Sequence, residues 1–298
     1  MNTAGYAAQI HWYPGHMTKA RRMMEENLRL VDILIELLDA RIPLSSKNPD
    51  IDGLAQNKHR ITVLNKSDLA DPAANEAWRR YFEGLGHQVV CANSVAGKGL
   101  DEIVKSAYEL MAEKIARQKA RGRINVPIRA MIVGIPNVGK STIINKYAKK
   151  QVCKVADRPG VTRGKQWIKI RADFELLDTP GILWPKFDNP DVGRRLAYTG
   201  AIRDEVVDLQ NLAADLIDDL QTIHPNGIKA RYGVDFNDTP EQTLLDIANA
   251  RGFRTHGGEP DAKRAAIILI DEFRAGLLGR ITLEKLIDLE ENVNENAD

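Results

Sequence analysis

The chain has 298 residues, of which 43% are hydrophobic and 28% charged, and its formal net charge at pH 7 is +1. This length predicts about two domains, and a globular composition without any apolar run near the ~18 residues of a membrane span argues against an integral membrane protein. The first ten residues lack the pattern of a signal peptide and only Cys91 and Cys153 are present, so we expect a reduced, cytoplasmic protein without a disulfide framework.

Short β-rich apolar runs alternate with helix-length segments over the first part of the chain. The runs cover residues 31–38, 60–64, 88–91 and 128–133. This alternation predicts an α/β fold with a mostly parallel sheet flanked by helices. Two further runs, Gln166–Arg171 and Phe174–Leu177, lie close together and predict a hairpin that adds an antiparallel edge to the sheet.

From about Asp191 onward the strand pattern stops and helical patterns take over. Thr239, Pro240 and Gln242 form a typical helix start, because Thr can cap and Pro suits the first turn. The predicted helical segments are Glu205–Ile223, Pro240–Arg251 and Ala262–Leu278. We therefore expect an α/β domain over residues 1–190 and a small all-α domain over residues 191–298.

The charge supports two parts with different roles. Residues 1–200 hold 32 Lys and Arg against 21 Asp and Glu, whereas residues 201–298 hold 10 against 20. A positive first part favours a polyanionic partner, and the acidic second part requires a local basic patch for any such contact.

A glycine-rich segment follows the run that ends at Val133. It begins at Gly134, reads GIPNVGKS, and matches G-x-x-x-x-G-K-[ST] in the required strand-to-helix context. Glycines let backbone N–H groups surround phosphates, the Lys140 ammonium reaches the β and γ oxygens, and the Ser141 hydroxyl ligates Mg²⁺. The nucleotide-binding residues predicted in this loop are Asn137, Val138, Gly139, Lys140, Ser141 and Thr142.

A second motif, Asn65-Lys66-Ser67-Asp68, follows another apolar run and reads N-K-x-D. The Asp68 carboxylate can accept hydrogen bonds from the ring N–H and the amino group of guanine, an arrangement that adenine does not offer. Asn65, Lys66 and Asp68 are therefore predicted to bind GTP. Asn93 and Ser94, at the end of the next strand, are either a second base-contacting loop or an ordinary turn, and both belong to the predicted site.

Asp178-Thr179-Pro180-Gly181 reads D-x-x-G at the end of a predicted strand. An Asp there can hold Mg²⁺ through water, and Gly181 can offer its N–H to the γ-phosphate. Thr162, in the preceding Pro-Gly-Val-Thr-Arg loop, is placed to close over the metal once a γ-phosphate is bound. The predicted Mg²⁺ ligands are thus Ser141, Thr162 and Asp178.

These motifs and their order resemble the circularly permuted GTPases of ribosome assembly. In an ordinary GTPase the N-K-x-D motif comes last, whereas here Asn65 precedes the phosphate loop at Gly134. The likeness includes the N-terminal segment 12–17 (WYPGHM), the basic residues that follow it, and segment 39–43 (DARIP). The resemblance implies a permuted P-loop GTPase domain followed by a helical domain that meets rRNA.

Many GTPases place a Gln directly after D-x-x-G to orient the attacking water, but here that position is Ile182, which can neither donate nor accept a hydrogen bond. The resemblance implies that His16 swings toward the γ-phosphate instead; the alternatives are that His16 binds rRNA or packs locally. The predicted catalytic residues are His16, Lys140 and Thr162. For Asn137 the resemblance implies a K⁺ ion beside the phosphates, and the alternative is a turn residue.

The partners implied by the resemblance are the precursor of the large ribosomal subunit, its rRNA and its ribosomal proteins. We expect a protein that is monomeric when it is not bound to the ribosome and that does not bind a membrane. The basic stretches Lys19–Arg22 and Lys114–Arg123 favour contacts with phosphates, although a solvated helix end explains the second equally well. A candidate patch in the acidic domain consists of Lys263, Arg264, Arg274 and Arg280.

The predicted function is therefore a GTPase that binds pre-ribosomal particles, promotes late maturation of the large subunit, and is stimulated to hydrolyse GTP and leave by the particle itself. Two alternatives stay open. One is a GTP-dependent scaffold whose hydrolysis is incidental, and the other is a GTPase with a non-ribosomal partner.

Overall fold

A computed structural model describes residues 22–123, 126–148, 166–179 and 189–286 of the chain. It contains a six-stranded sheet with the spatial order β3-β2-β1-β4-β6-β5. The strands are β1 Ile33–Asp39, β2 His59–Asn65, β3 Gln88–Ala92, β4 Ile128–Gly134, β5 Gln166–Arg171 and β6 Phe174–Asp178. Neighbouring strands are parallel except for β5, which pairs antiparallel with β6 at the sheet edge. The predicted mostly parallel sheet with an antiparallel edge is confirmed.

The central strand β1 carries apolar residues on both of its faces. All seven of its residues are buried. Ile33, Ile35 and Leu37 belong to the main core on one face, whereas Leu34 and Leu38 belong to two smaller clusters on the other. Because helices cover both faces, alternation between apolar and polar residues is lost.

Helices make up most of the remaining described structure. They are α1 22–28, α2 Asp50–Leu54, α3 Pro72–Gly84, α4 Leu100–Leu110, α5 Ala112–Ala120, α6 Lys140–Ala148, α7 Pro190–Tyr198, α8 Leu209–Ile223, α9 Gly227–Tyr232, α10 Pro240–Ala250 and α11 Ala262–Arg274. Among the residues described, none of these helices has the length and apolarity needed to cross a membrane.

The three predicted segments of the helical part are helical, with clear differences at two ends, whereas α7 and α9 were not predicted. The segment predicted to begin at Glu205 opens with a 3₁₀ turn, and α8 begins only after Asp208, whose carboxylate accepts hydrogen bonds from the N–H groups of Gln210 at 2.9 Å and Asn211 at 3.2 Å. The segment predicted to reach Leu278 ends at Arg274, because the chain turns at Gly276 with a φ of +74°. A capping side chain and a left-handed glycine, respectively, set these ends.

The start of α10 follows the predicted capping pattern. Thr239 has extended backbone angles, and its hydroxyl accepts a hydrogen bond from the N–H of Gln242 at 3.2 Å. Pro240 occupies the first turn, where its missing N–H leaves no intrahelical bond unmade. The local sequence alone therefore determines where this helix begins.

The chain returns from the helical part to the sheet in residues 276–284, which we call the C-terminal strap. The N–H of Ile281 donates to the carbonyl of Leu69 at 2.9 Å, and the N–H of Leu283 donates to the carbonyl of Arg41 at 2.8 Å. The main core also runs without interruption from the sheet into the helical part. The predicted division at residues 190 and 191 stays a prediction.

One charged side chain lies in the middle of the sheet with little compensation. Glu36 on β1 is 1% exposed, and neither of its carboxylate oxygens has a hydrogen-bond partner among the described residues. The nearest cation is Arg60, whose Nη1 lies 3.9 Å from Oε2. Burial raises the pKa of Glu36 from its ordinary value of 4.5 to about 7, against the opposing charges of Arg60 and Lys47.

This raised pKa predicts a stability that falls as pH rises. Because the folded protein binds the Glu36 proton more tightly than the unfolded chain, the contribution is complete below pH 4.5 and is lost as the pH rises to about 7, at a cost of about 3 kcal/mol. Glu36→Gln removes the titration and keeps the shape. We expect the variant to be more stable than the parent at pH 8 and not at pH 5, measured by chemical denaturation across that range.

The exposed Glu259→Gln in the turn before α11 serves as the matched control, because Glu259 is solvent-accessible. Equal stability differences between Glu36→Gln and the parent at pH 5 and pH 8 would contradict the titration of Glu36.

Candidate nucleotide site

The sequence motifs meet at the carboxyl ends of the parallel strands. The phosphate loop lies between the end of β4 and the start of α6, the N-K-x-D loop follows β2, and Ser94 follows β3. Asp178 ends β6. Ligands of open parallel sheets bind at this edge, and the phosphate loop begins on a central strand.

Two positions in the phosphate loop require glycine. Gly134 has a φ of +154°, and a Cβ there would lie 2.6 Å from the carbonyl oxygen of Leu37. Gly139 has a φ of +107°, and a Cβ there would clash with Nδ2 of Asn65. The loop therefore folds tightly against β1 and against Asn65 of the N-K-x-D motif.

Lys140 is buried at the start of α6, with 7% of its side chain exposed. Its ammonium donates to the carbonyls of Gly134 and Ile135, both at 2.8 Å, so the lysine is held over its own loop. Burial lowers the pKa of Lys140 to about 8, and the charge of Asp178 acts in the opposite direction. A phosphate in the loop would add negative charge beside this ammonium and favour its charged form.

The donor set fits Mg²⁺. Asp178 is 1% exposed and its charge acts on Lys140, the neighbour of Ser141 in the chain. Hydroxyl and carboxylate oxygens are the ligands that Mg²⁺ prefers in proteins. The residues of the phosphate loop and β6 can therefore supply the two sides of such a site.

The amide of Asn65 joins three loops. Its Nδ2 donates to the carbonyl of Val138 at 2.6 Å and to Oγ of Ser94 at 3.1 Å, and its Oδ1 accepts from the N–H of Ser94 at 3.1 Å. Asn65 is fully buried. The structure thus uses this predicted GTP-binding residue to hold the phosphate loop and the loop after β3 against the N-K-x-D loop.

Lys66 and the end of β1 form a buried charge cluster. Lys66 has a φ of +59°, and its ammonium lies 2.9 Å from Oδ2 of Asp39. Arg41 donates to the same carboxylate through Nε at 2.9 Å and Nη2 at 2.8 Å. Burial alone raises the pKa of Asp39, but the charges of Arg41 and Lys66 outweigh it and hold the pKa well below its usual range.

Asp39 and Arg41 were not among the predicted site residues. The sequence did carry a signal for them, since Asp39 ends a strand whose carboxyl end lies at the site and Arg41 follows directly. The cluster also lowers the pKa of Lys66, chiefly through burial. Asp39, itself held by Arg41, therefore fixes the side chain of Lys66 within the N-K-x-D motif.

Two asparagines have partners that the sequence did not reveal. The side chain of Asn137 donates from Nδ2 to the carbonyl of Gly200 at 2.8 Å, which links the phosphate loop to the end of α7. Oδ1 of Asn93 accepts from the N–H of Ala96 at 2.8 Å within its own turn.

Asp68 is exposed at the site. The predicted site residues His16, Thr162 and Gly181 lie outside the described residues.

Comparisons with known proteins extend the likeness over almost the whole chain. The profile of the 50S ribosome-binding GTPase family matches residues 129–241. Ribosome biogenesis GTPase A of Bacillus pumilus is 48% identical over 93% of this chain and 98% of its own length, and that of Thermotoga maritima is 31% identical over 94% and 96%. The crystal structure of GNP-bound YlqF from T. maritima matches with a TM-score of 0.63 at 27% identity, over 90% of this chain and 98% of that one.

The role of Asn65 predicts a large effect of Asn65→Ala. The substitution leaves the buried groups of Val138 and Ser94 without their partners, so we expect the free energy of unfolding to fall by about 2 to 3 kcal/mol. Urea denaturation measures this change. Asn226→Ala is the control, because Asn226 is exposed and makes no capping hydrogen bond; an equal effect of both variants would contradict the role of Asn65.

Proposed function

Because the chain belongs to the ribosome biogenesis GTPase A family, we propose that it hydrolyses GTP to GDP and phosphate while bound to the precursor of the large ribosomal subunit. The observation that carries the nucleotide part is the meeting of the phosphate loop and the N-K-x-D loop through the amide of Asn65. This contact between two motifs that are far apart in the sequence supports a single site for the base and the phosphates of a guanine nucleotide.

The phosphate end of the site performs the chemistry. The backbone N–H groups of Asn137, Val138 and Gly139 surround the phosphates, and Lys140 leaves its loop carbonyls to contact the β and γ oxygens. Ser141, Thr162 and Asp178 would hold Mg²⁺, which would supply positive charge beside the phosphates when bound. Thr142 and the N–H of Gly181 complete the contacts to GTP. Two observations support this arrangement. Lys140 is buried, and the loop packs so closely that Gly134 and Gly139 have no room for a Cβ.

The attacking water needs a group other than Ile182. We assign this role to His16, whose imidazole can hydrogen-bond to water. The Asn137 amide also has an oxygen that can ligate K⁺ while its nitrogen donates to Gly200, since an amide offers both a donor and an acceptor. K⁺ activation is therefore part of the proposal.

The guanine end of the site consists of Asp68, Lys66 and the loop of Asn93 and Ser94. Asp68 is exposed and free to accept the ring N–H and the amino group of the base. Asn65 bonds both to Ser94 and to Val138 of the phosphate loop, so it fixes the loop after β3 relative to the phosphate loop. Asn93 contributes through its turn, because its side chain caps Ala96.

We propose that the basic surface of residues 1–190 and the helical part 191–298 contact rRNA and ribosomal proteins. The protein acts in the cytoplasm and is a monomer when it is not bound to the ribosome. Arg117, Lys119, Arg121 and Arg123 are exposed at the end of α5 and beyond it. In the helical part, Arg274 bonds to Asp204 and to backbone carbonyls, and Arg280 bonds to carbonyls of the N-K-x-D loop. The patch of four cations expected there is therefore reduced to Lys263 and Arg264.

Base recognition predicts a change of specificity for Asp68→Asn. An Asn amide cannot accept both guanine hydrogens, but it can donate to the oxygen that xanthine carries in place of the amino group. We expect the affinity for GDP to fall by about a hundredfold or more and the affinity for xanthosine diphosphate to rise. Calorimetric titration with both nucleotides measures this; unchanged GDP affinity would remove Asp68 from the site.

Steady-state GTP hydrolysis tests the reaction and the partner together. We expect the rate of the purified protein to rise at least tenfold when isolated large ribosomal subunits are added in KCl, and to fall when NaCl replaces KCl. Lys140→Ala should abolish turnover, since the γ-phosphate loses its cation. His16→Ala should remove the stimulated rate.

The outcomes separate the alternatives. Hydrolysis without stimulation by subunits would favour a non-ribosomal partner. Normal subunit assembly in cells that carry only His16→Ala would favour a scaffold whose hydrolysis is incidental.

A further inference from the structure

The segment 66–71 carries Asp68 and belongs to no helix or strand. On one side it rests on the sheet and on α3. Both the N–H and the hydroxyl of Ser67 donate to the carbonyl of Ala92, at 3.1 and 3.0 Å, and Nδ2 of Asn75 donates to the carbonyl of Ser67 at 2.9 Å. These contacts fix the residue before Asp68.

The C-terminal strap holds the same segment from the other side. Arg280 donates through Nε to the carbonyl of Ala70 at 2.9 Å and through Nη2 to the carbonyl of Ser67 at 3.0 Å. The N–H of Ile281 donates to the carbonyl of Leu69 at 2.9 Å. Three carbonyls that flank Asp68 are thus bound by two adjacent strap residues.

The turn at the beginning of the strap packs on the same segment. A Cβ at Gly276, whose φ is +74°, would lie 2.7 Å from Cδ2 of Leu69. The hydroxyl of Thr282 accepts from the N–H of Asp71 at 3.1 Å. Contacts therefore extend along the segment from Ser67 to Asp71.

The far end of the strap is anchored at Glu284, which is 3% exposed. Its carboxylate accepts hydrogen bonds from the N–H groups of Leu44 at 2.7 Å and Ser45 at 3.0 Å and from the Ser45 hydroxyl. Nε1 of Trp78 donates to the Glu284 carbonyl at 3.0 Å. Because this end is fixed, Arg280 and Ile281 reach the segment from a defined position.

We propose that the strap positions Asp68 for guanine and that Arg280 is the positioning residue. The inference rests on the proposed role of Asp68 as the base reader. Arg280 acts through the main chain of the segment, since its guanidinium binds the carbonyls on either side of Asp68. Two simultaneous hydrogen bonds to a base require the carboxylate to be held in orientation. The sheet and α3 fix Ser67, whereas the strap binds the carbonyls of Leu69 and Ala70 that follow Asp68.

The consequence is that residues of the C-terminal strap, far along the chain from Asp68, influence the affinity for guanine nucleotides. GDP and GTP carry the same base, so the strap should affect both nucleotides to the same extent. A partner that binds the helical part and moves the strap would change nucleotide affinity without distinguishing the two states.

Nucleotide binding by full-length Arg280→Ala tests the proposal. Inosine diphosphate lacks the amino group of guanine, so one of the two hydrogen bonds to Asp68 is absent. We expect the GDP affinity of the variant to fall about five- to tenfold, the affinity for inosine diphosphate to fall less, and the preference for GDP to shrink accordingly. Calorimetric titration with both nucleotides gives this ratio.

Two further variants sharpen the test. Arg280→Lys keeps the charge but cannot span both carbonyls with a planar fork, so its preference should lie between those of the parent and Arg280→Ala. Arg254→Ala is the matched control, because Arg254 is exposed and bonds to Asn249 rather than to the segment. It should leave the preference unchanged. If Arg280→Ala does not fold, Arg280→Lys decides by the same ratio.

A parental preference in Arg280→Ala would overturn the proposal, and so would an equal loss of affinity for both nucleotides, because that loss reports only a weaker fold. If the parent and Asp68→Asn both fail to distinguish GDP from inosine diphosphate, the assignment of Asp68 itself is wrong and this inference falls with it.

Discussion

The site depends on one buried amide, that of Asn65. Val138 lies 73 residues further along the chain and Ser94 lies 29 residues further, yet both bond to this side chain. The contact is possible because Gly139 has no Cβ, so the phosphate loop approaches the amide closely. Since Asn65 is fully buried, each of these groups would lack a partner without it. The distance between the phosphate loop and the N-K-x-D loop follows from this contact.

Buried charges then connect the site to the rest of the molecule. Asp39 is compensated by Arg41 and Lys66, and Arg41 in turn contacts the helical part, with Nη1 at 3.4 Å from the carbonyl of Arg274 and its guanidinium 5.4 Å from the Phe273 ring centroid. Taking charges from water is costly, so such a cluster persists only when every member has a partner. Removing Asp39, Arg41 or Lys66 would leave the charge of a remaining member without compensation in the protein interior.

The helical part therefore touches both ends of the site. The phosphate loop contacts it through Asn137 and Gly200, and segment 66–71 contacts it through Arg280 and Ile281. The N-K-x-D motif precedes the phosphate loop in the chain, and the residues that follow both motifs fold back onto the earlier ones. The strap makes this return, and it adds contacts to loops that no strand pairing supports.

Sequence alone determined the strands, the sheet class, the phosphate loop and the start of α10, because each depends on residues close together in the chain, such as Thr239 with Gln242. It could not reveal how the polar side chains are used. Asn137 bonds to Gly200, Arg280 bonds to Ser67, and Asn65 bonds to Val138, all across long separations. A residue type and its spacing indicate that a side chain can donate or accept a hydrogen bond. Only the tertiary structure decides which distant group comes within reach, because the packing of strands and helices brings those groups together.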